Sequence, residues 1–149
     1  MTIMDLINES TPVDERRLAE DFNARLREVV LLLRRVNADL PVTGQQLSVL
    51  GSLESGPRRM TELAVEHGVR LPTMTAQVGR LVRDGLATRG TTPGDARVVT
   101  VALTAGGAEM LRSGRKRRID FLADRLAGLS VTERTAVAAA LPALRKLFA

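Results

Sequence analysis

Two stretches of this 149-residue chain carry side chains whose types and spacing suit the base edges and phosphates of a nucleic acid. In the first, Arg70, Pro72, Thr73, Thr75, Gln77, Arg80 and Arg83 fall at helical intervals. Arginine and glutamine can each grip a base edge through two hydrogen bonds, and threonine hydroxyls can bond base or phosphate. In the second, Asp95 and Arg97 follow the turn Thr91-Thr92-Pro93-Gly94. An arginine beside a loop tip can enter a minor groove, with the aspartate holding its guanidinium. Arg58, Arg59 and Thr61 add further phosphate donors. Other chemistry is poorly supplied. The chain has no Cys, which removes disulfides, thiolate nucleophiles and zinc-thiolate sites. Its one His, His67, makes a His-rich metal site or a Ser–His relay hard to assemble, and reads instead as a helix-end residue. With no acid pair and no phosphate-cradling glycine loop, an enzyme is not expected, and neither is a cofactor.

These residues need elements to position them. Residues 1–12 lack sustained periodicity and read as a mobile tail. From Asp14 onward, Leu18, Phe22, Leu26, Val29, Leu33, Val36 and Leu40 recur at steps of three and four, marking one apolar helical stripe. Such a helix of about 25 residues spans roughly 35–40 Å. That exceeds what the core of one small domain requires, so its first half points toward a partner subunit. Pro41 is expected to end it. Thr43-Gly44-Gln45-Gln46 fits a capping box opening a helix that buries Leu47, Val49, Leu50 and Leu53 and stops at Gly56-Pro57. A bridging strand at 58–60 precedes a short helix capped by Thr61 and ended by Gly68. Pro72 suits the first turn of a helix over 71–84, with Met74, Val78, Leu81 and Val82 inward. The period then changes to two. Leu86 and Thr88 begin one strand and Arg97–Leu103 forms another, making a hairpin. Thr104 caps a long helix to about Leu126. Ser130-Val131-Thr132-Glu133 caps the last helix, which buries Val137, Leu141, Leu144 and Phe148 and is expected to kink at Pro142. The methionines Met60, Met74 and Met110 read as core filler. The fold class is mainly α (α+β). A winged helix-turn-helix lobe over 43–103, with 71–84 as its reading helix, sits within a single domain over 13–149, between long helices at 13–40 and 104–149.

Charge follows the same division. The chain totals +5, but residues 57–118 carry twelve basic and five acidic side chains, against nets of −3 before them and +1 after. A basic middle suits a polyanion, although a solvated Arg-rich surface would look the same by charge alone. The run Arg112, Arg115, Lys116, Arg117 and Arg118 reads as a solvated helix face supplying long-range attraction. No apolar run reaches the roughly 20 residues of a membrane span, and MTIMDLINES lacks signal-peptide grammar, so the expected compartment is the cytoplasm.

Several motifs bear a family resemblance. Leu63-Ala64, Gly68-Val69, Pro72-Thr73-Met74-Thr75, Leu81, Gly85-Leu86, Pro93-Gly94-Asp95-Ala96-Arg97 and Leu103-Thr104 with Gly107 resemble the MarR family of bacterial transcription regulators, over about residues 14–148. The resemblance implies a homodimer with one winged lobe per subunit. It also implies a pseudo-palindromic operator on double-stranded DNA, usually bound by a repressor. The wing arginine, matched here by Arg97, would enter the minor groove, with Asp95 as its orienting partner. The dimer seam expected on this basis holds Leu18, Phe22, Leu26, Phe121, Leu126, Val137, Leu141, Leu144 and Phe148. The family pattern is broken at Ala76, where a basic residue is common, and at Gln77, where an apolar one is, which shifts base reading toward Arg70, Thr73, Gln77 and Arg80. A small-molecule effector between the dimer helices and the lobe is a further implication. With no Tyr or Trp its pocket would be aliphatic and suited to an apolar acid. The competing readings are a winged-helix module that contacts protein alone, and a sequence-blind nucleic-acid binder.

Overall fold

Hydroxyl caps decide where three of the helices begin. In a computed structural model describing residues 13–149, Thr43 Oγ1 accepts the Gln46 amide at 3.2 Å, and the Gln46 side chain returns to the Thr43 amide at 2.8 Å. Ser130 and Glu133 repeat this box at 3.2 and 2.8 Å. Thr104 Oγ1 accepts the Gly107 amide at 3.0 Å and donates to the Gly85 carbonyl at 2.7 Å. The helices are α1 (Glu15–Val36), α2 (Gly44–Ser52), α3 (Met60–Glu66), α4 (Leu71–Arg83), α5 (Ala105–Ala127) and α6 (Val131–Leu147). The strands β1 (Arg58–Arg59), β2 (Ala87–Thr92) and β3 (Asp95–Leu103) form one antiparallel sheet in the order β1-β3-β2. The expected tail over 1–12 lies outside the described residues.

The chain divides into two units, one ending at Arg35 and the other running from Val36 to Ala149. The first is helix α1. Glu15 in its first turn and Arg34 and Arg35 in its last complement the helix dipole, and Arg25 pairs with Glu28 at 2.8 Å. It ends four residues before the expected Leu40. The Leu40 amide bonds the Asn37 carbonyl at 3.0 Å in a turn, a conformation that the Asn37-Ala38-Asp39 sequence favours. The residue before Pro41 is disfavoured as helix in any case.

In the second unit the core is Val42, Leu47, Val49, Leu50, Leu53, Met60, Leu63, Ala64, Met74, Val78, Leu81, Leu86, Ala87, Val101 and Leu111. It draws on α2, α3, α4, the sheet and the start of α5. Register places Arg58 opposite Val101 and Arg59 opposite Thr100, with Ala87 opposite Leu103 in the hairpin. The hairpin joins α5 so closely that a Cβ on Gly107 would lie 2.0 Å from the Leu86 carbonyl oxygen, so only glycine fits there. Two boundaries differ from expectation. Helix α2 closes at Leu53, whose amide bonds Leu50, ahead of Gly56-Pro57. Thr61 does not cap α3: the helix starts at Met60, and Glu62 accepts the Arg59 amide at 3.2 Å, so Thr61 lies inside the first turn. Pro142 falls inside α6, which runs on to Leu147, and Arg134 Nη1 reaches back to the Leu126, Ala127 and Leu129 carbonyls at the end of α5. Neither α1 nor α6 has a buried residue. Of the residues expected in the dimer seam, Leu18, Leu26, Leu126, Val137, Leu141 and Phe148 are exposed, and Phe22, Phe121 and Leu144 are half-buried.

Candidate nucleic-acid interface

Helix α4 is pinned from one side. Met74, Val78 and Leu81 are fully buried, which turns Arg70, Pro72, Thr73, Thr75, Arg80 and Arg83 to the exposed face. Arg70 stands at the N-cap, and Pro72 falls in the first turn, where its missing N–H leaves no helical bond unmade. The Gly68 turn before it takes a φ of 61°. Gln77 departs from expectation: it is half-buried, and its Oε1 is shut off without a hydrogen-bond partner. In this rotamer it cannot offer the oxygen and nitrogen together that a two-bond contact to adenine needs.

The wing comprises β2, β3 and the Pro93-Gly94 turn, whose Gly94 has a φ of 89°. Arg97 is exposed, as expected. Asp95 Oδ1 accepts the Arg97 backbone amide at 3.0 Å rather than holding the guanidinium. The aspartate therefore stabilises the turn's main chain, as Asx residues commonly do, and leaves the arginine head unpaired by it.

Between α4, the start of α3 and the wing lies a cleft of about 390 Å³. Arg59, Arg89 and Arg97 line it with Thr61 and Thr75, over Met60, Leu71, Val98 and Val99. No carboxylate lines it, so three cations face one concavity. Arg58 is elsewhere, spent on Glu66 at 3.0 Å and Glu62 at 3.4 Å, which removes it from the expected set of free phosphate donors. Arg89 is the residue that side-chain spacing did not reveal. It sits on β2, and its Nη2 donates to the Thr75 carbonyl at 3.1 Å; the one sequence signal for it is a glycine, Gly79, in the middle of α4.

Ion pairing sorts the basic residues into two groups. Of the seven arginines in 43–103, only Arg58 pairs with a carboxylate among the described residues, while Arg59, Arg70, Arg80, Arg83, Arg89 and Arg97 are all exposed and do not. The run on α5 is the reverse. Arg112 pairs with Glu109, Arg115 with Glu54 at 2.7 Å, Lys116 with Asp120 at 2.5 Å and Arg117 with Asp39 at 3.5 Å. The densest positive cluster in the sequence is thus largely neutralised locally, and the sparser arginines of the lobe keep their charge for a partner.

Behind α3, Ser52 Oγ lies 2.7 Å from Glu66 Oε1 and 3.0 Å from His67 Nε2. The hydroxyl's hydrogen goes to Glu66, so His67 donates to the serine oxygen and is not placed to take its proton. This is a structural latch between α2 and α3. The Ser52 hydroxyl, followed by the Arg58 and His67 charges, holds the Glu66 carboxyl below its ordinary range despite some opposing desolvation. Among the described residues no group of three or more His, Cys, Asp or Glu could hold a metal, and no helix is long and apolar enough to cross a membrane.

Comparison with known proteins agrees with this architecture. The profile of the MarR family matches residues 40–98, from the α1–α2 turn to the middle of β3. A helix-turn-helix-type transcriptional regulator of Mycobacterium tuberculosis is 36% identical over 121 residues, covering 80% of this chain and 85% of that protein. Among solved structures, a mutant of the MarR protein of E. coli superimposes with a TM-score of 0.73 at 27% identity, over 92% of this chain and 98% of that one. A transcriptional regulator of Thermotoga maritima superimposes with a TM-score of 0.66 at 28% identity, over 86% of this chain and 94% of that one.

Proposed function

This chain belongs to the MarR family of transcriptional regulators, and from that premise we propose that it acts as a homodimeric repressor seated on a pseudo-palindromic operator in duplex DNA. Helix α4 of each subunit enters a major groove, and Arg97 of each wing enters the adjoining minor groove. The observation that carries this reading is the set of six exposed lobe arginines free of carboxylates among the described residues. A surface that served only solubility would intersperse charges of both signs, as α5 does. Arg70, Thr73, Thr75, Arg80 and Arg83 face the groove from α4, with Arg59 and Thr61 at the phosphates beside the cleft. Gln77 reads a base only after its amide turns outward. Two such lobes set about one helical turn apart, roughly 34 Å, meet successive major grooves on one face of the duplex.

Titration of the protein against the DNA upstream of its own gene, over a salt series, tests this. Saturable binding that exceeds a scrambled control and falls steeply with salt is expected, because counterion release supplies much of the affinity. Absence of binding at low salt overturns it in favour of a protein-contacting module. Equal binding to the scrambled fragment points instead to a sequence-blind nucleic-acid binder. Release of the operator by apolar acids, the effector class expected here, is read in the same titration.

A further inference from the structure

Helix α4 has a glycine in its middle that the backbone does not require. Gly79 is absent from the positive-φ glycines, which are Gly56, Gly68, Gly85 and Gly94, and a helix-interior glycine is less favourable than alanine. What a methyl group at Gly79 would meet is the guanidinium of Arg89, whose Nη2 lies 3.3 Å from the built Cβ position. That same nitrogen donates to the Thr75 carbonyl at 3.1 Å, one helical turn before Gly79. An arginine of β2 therefore lies across a bare strip of the reading helix and bonds its main chain. No carboxylate among the described residues pairs with it, although it stands in a cleft with Arg59 and Arg97.

We infer that Arg89 is a positioning residue: seated on the Thr75 carbonyl across Gly79, it fixes the offset between the wing and α4. The contact belongs to the protein without DNA; only its consequence rests on the DNA-binding reading above. That consequence is preorganisation. A wing and a helix that must enter two grooves at once bind more tightly when their separation is already set. The alternative role for Arg89 is direct contact with a phosphate, and the two make different predictions.

The test uses the full chain as Gly79→Ala, Arg89→Ala, Arg89→Lys and the Gly79→Ala/Arg89→Ala double variant. In the protein without DNA, amide hydrogen exchange over residues 91–99 should quicken about fivefold in Arg89→Ala, as for loss of one hydrogen bond, and by up to that factor in Gly79→Ala, whose added methyl makes the Arg89 guanidinium give way. The double variant should show no increase beyond Arg89→Ala, because both changes act on one contact. Arg89→Lys, which keeps a donor for the carbonyl, should restore most of the protection. Operator affinity should fall about fivefold in Arg89→Ala and the double variant, and by up to that factor in Gly79→Ala, with the slope of log K against log salt unchanged, since no phosphate contact is lost. Gly79→Ala keeps every arginine and improves helix propensity, so weaker binding from a fully folded variant is the distinctive signature. Wild-type exchange in Arg89→Ala, additive exchange effects in the double variant, or a salt slope reduced by about one in Arg89→Ala overturns the inference. Failure of the wild type itself to bind any operator counts against the function proposed above, and the exchange experiment still judges the strap.

Discussion

At the scale of single residues, charge alone does not mark a contact; what matters is whether a cation is already satisfied. Arg58 and Arg97 both lie on the sheet, yet Arg58 is held by Glu62 and Glu66, and only the backbone amide of Arg97 is engaged by Asp95. Arg97→Ala is expected to weaken operator binding at least about tenfold, in the range of losing one good base or groove contact. Arg58→Ala should change it less than about twofold, because a paired surface charge contributes little. Gel-shift titrations of both variants, with sizing chromatography to verify assembly, distinguish them; equal losses contradict the sorting by ion pairs. The Ser52–Glu66 latch gives a pH prediction. Glu66 has a folded pKa below its unfolded value, so its contribution to stability is present above the ordinary carboxylate pKa and is lost as pH falls through the lower folded one. Ser52→Ala should therefore lower the melting temperature near pH 7, and the gap to wild type should close as pH falls below the lowered folded pKa of Glu66. A gap that widens in acid would show that Ser52 acts otherwise.

Elements show how much the sequence discloses and where it stops. Capping boxes at Thr43 and Ser130, the Thr104 cap, the helical stripe of Met74, Val78 and Leu81, and the β-branched run of β3 were legible because each is a local pattern with a local cause. The end of α1 was not, since the apolar stripe continues through Leu40, a residue that packs on the core after the backbone has left the helix. Nor was the cap of α3, because Glu62 supplies from inside the helix what Thr61 was expected to supply at its start. The α4 face could be read from periodicity, but the Arg89 contact joins two elements fourteen residues apart and left only Gly79 as a trace. Arg134 belongs to this scale too. Its guanidinium bonds the Leu126, Ala127 and Leu129 carbonyls, tying the first turns of α6 to the end of α5 and the turn that follows it. Arg134→Ala is expected to lower the thermal midpoint by a few degrees, corresponding to about 1 kcal/mol, and Arg134→Lys by less. Differential scanning calorimetry reads this, and an unchanged midpoint would deny Arg134 that role.

For the molecule as a whole, the distribution of burial is the governing fact. Helix α6 has seventeen residues and none is buried, with Leu141 58% and Leu147 62% exposed; α1 likewise has none. Most helical stability in a protein comes from packing an apolar face, and apolar surface on this scale asks for a partner. A second copy of the chain meets the need under the proposed function. Sizing chromatography with light scattering should give twice the 16.1 kDa chain mass, and Leu141→Asp should shift the population toward the single-chain mass. A wild-type protein that stays at the single-chain mass at all concentrations would remove the basis for paired lobes.

Every core residue lies between Val42 and Leu111. If the chain pairs as proposed, a subunit deprived of its twin would keep its reading head assembled while α1 and α6 melted. Under the proposed function, dilution or gentle warming would then loosen its grip on a two-armed target well before the head itself came apart. Control of the gene would then lapse at a concentration set by assembly rather than by denaturation.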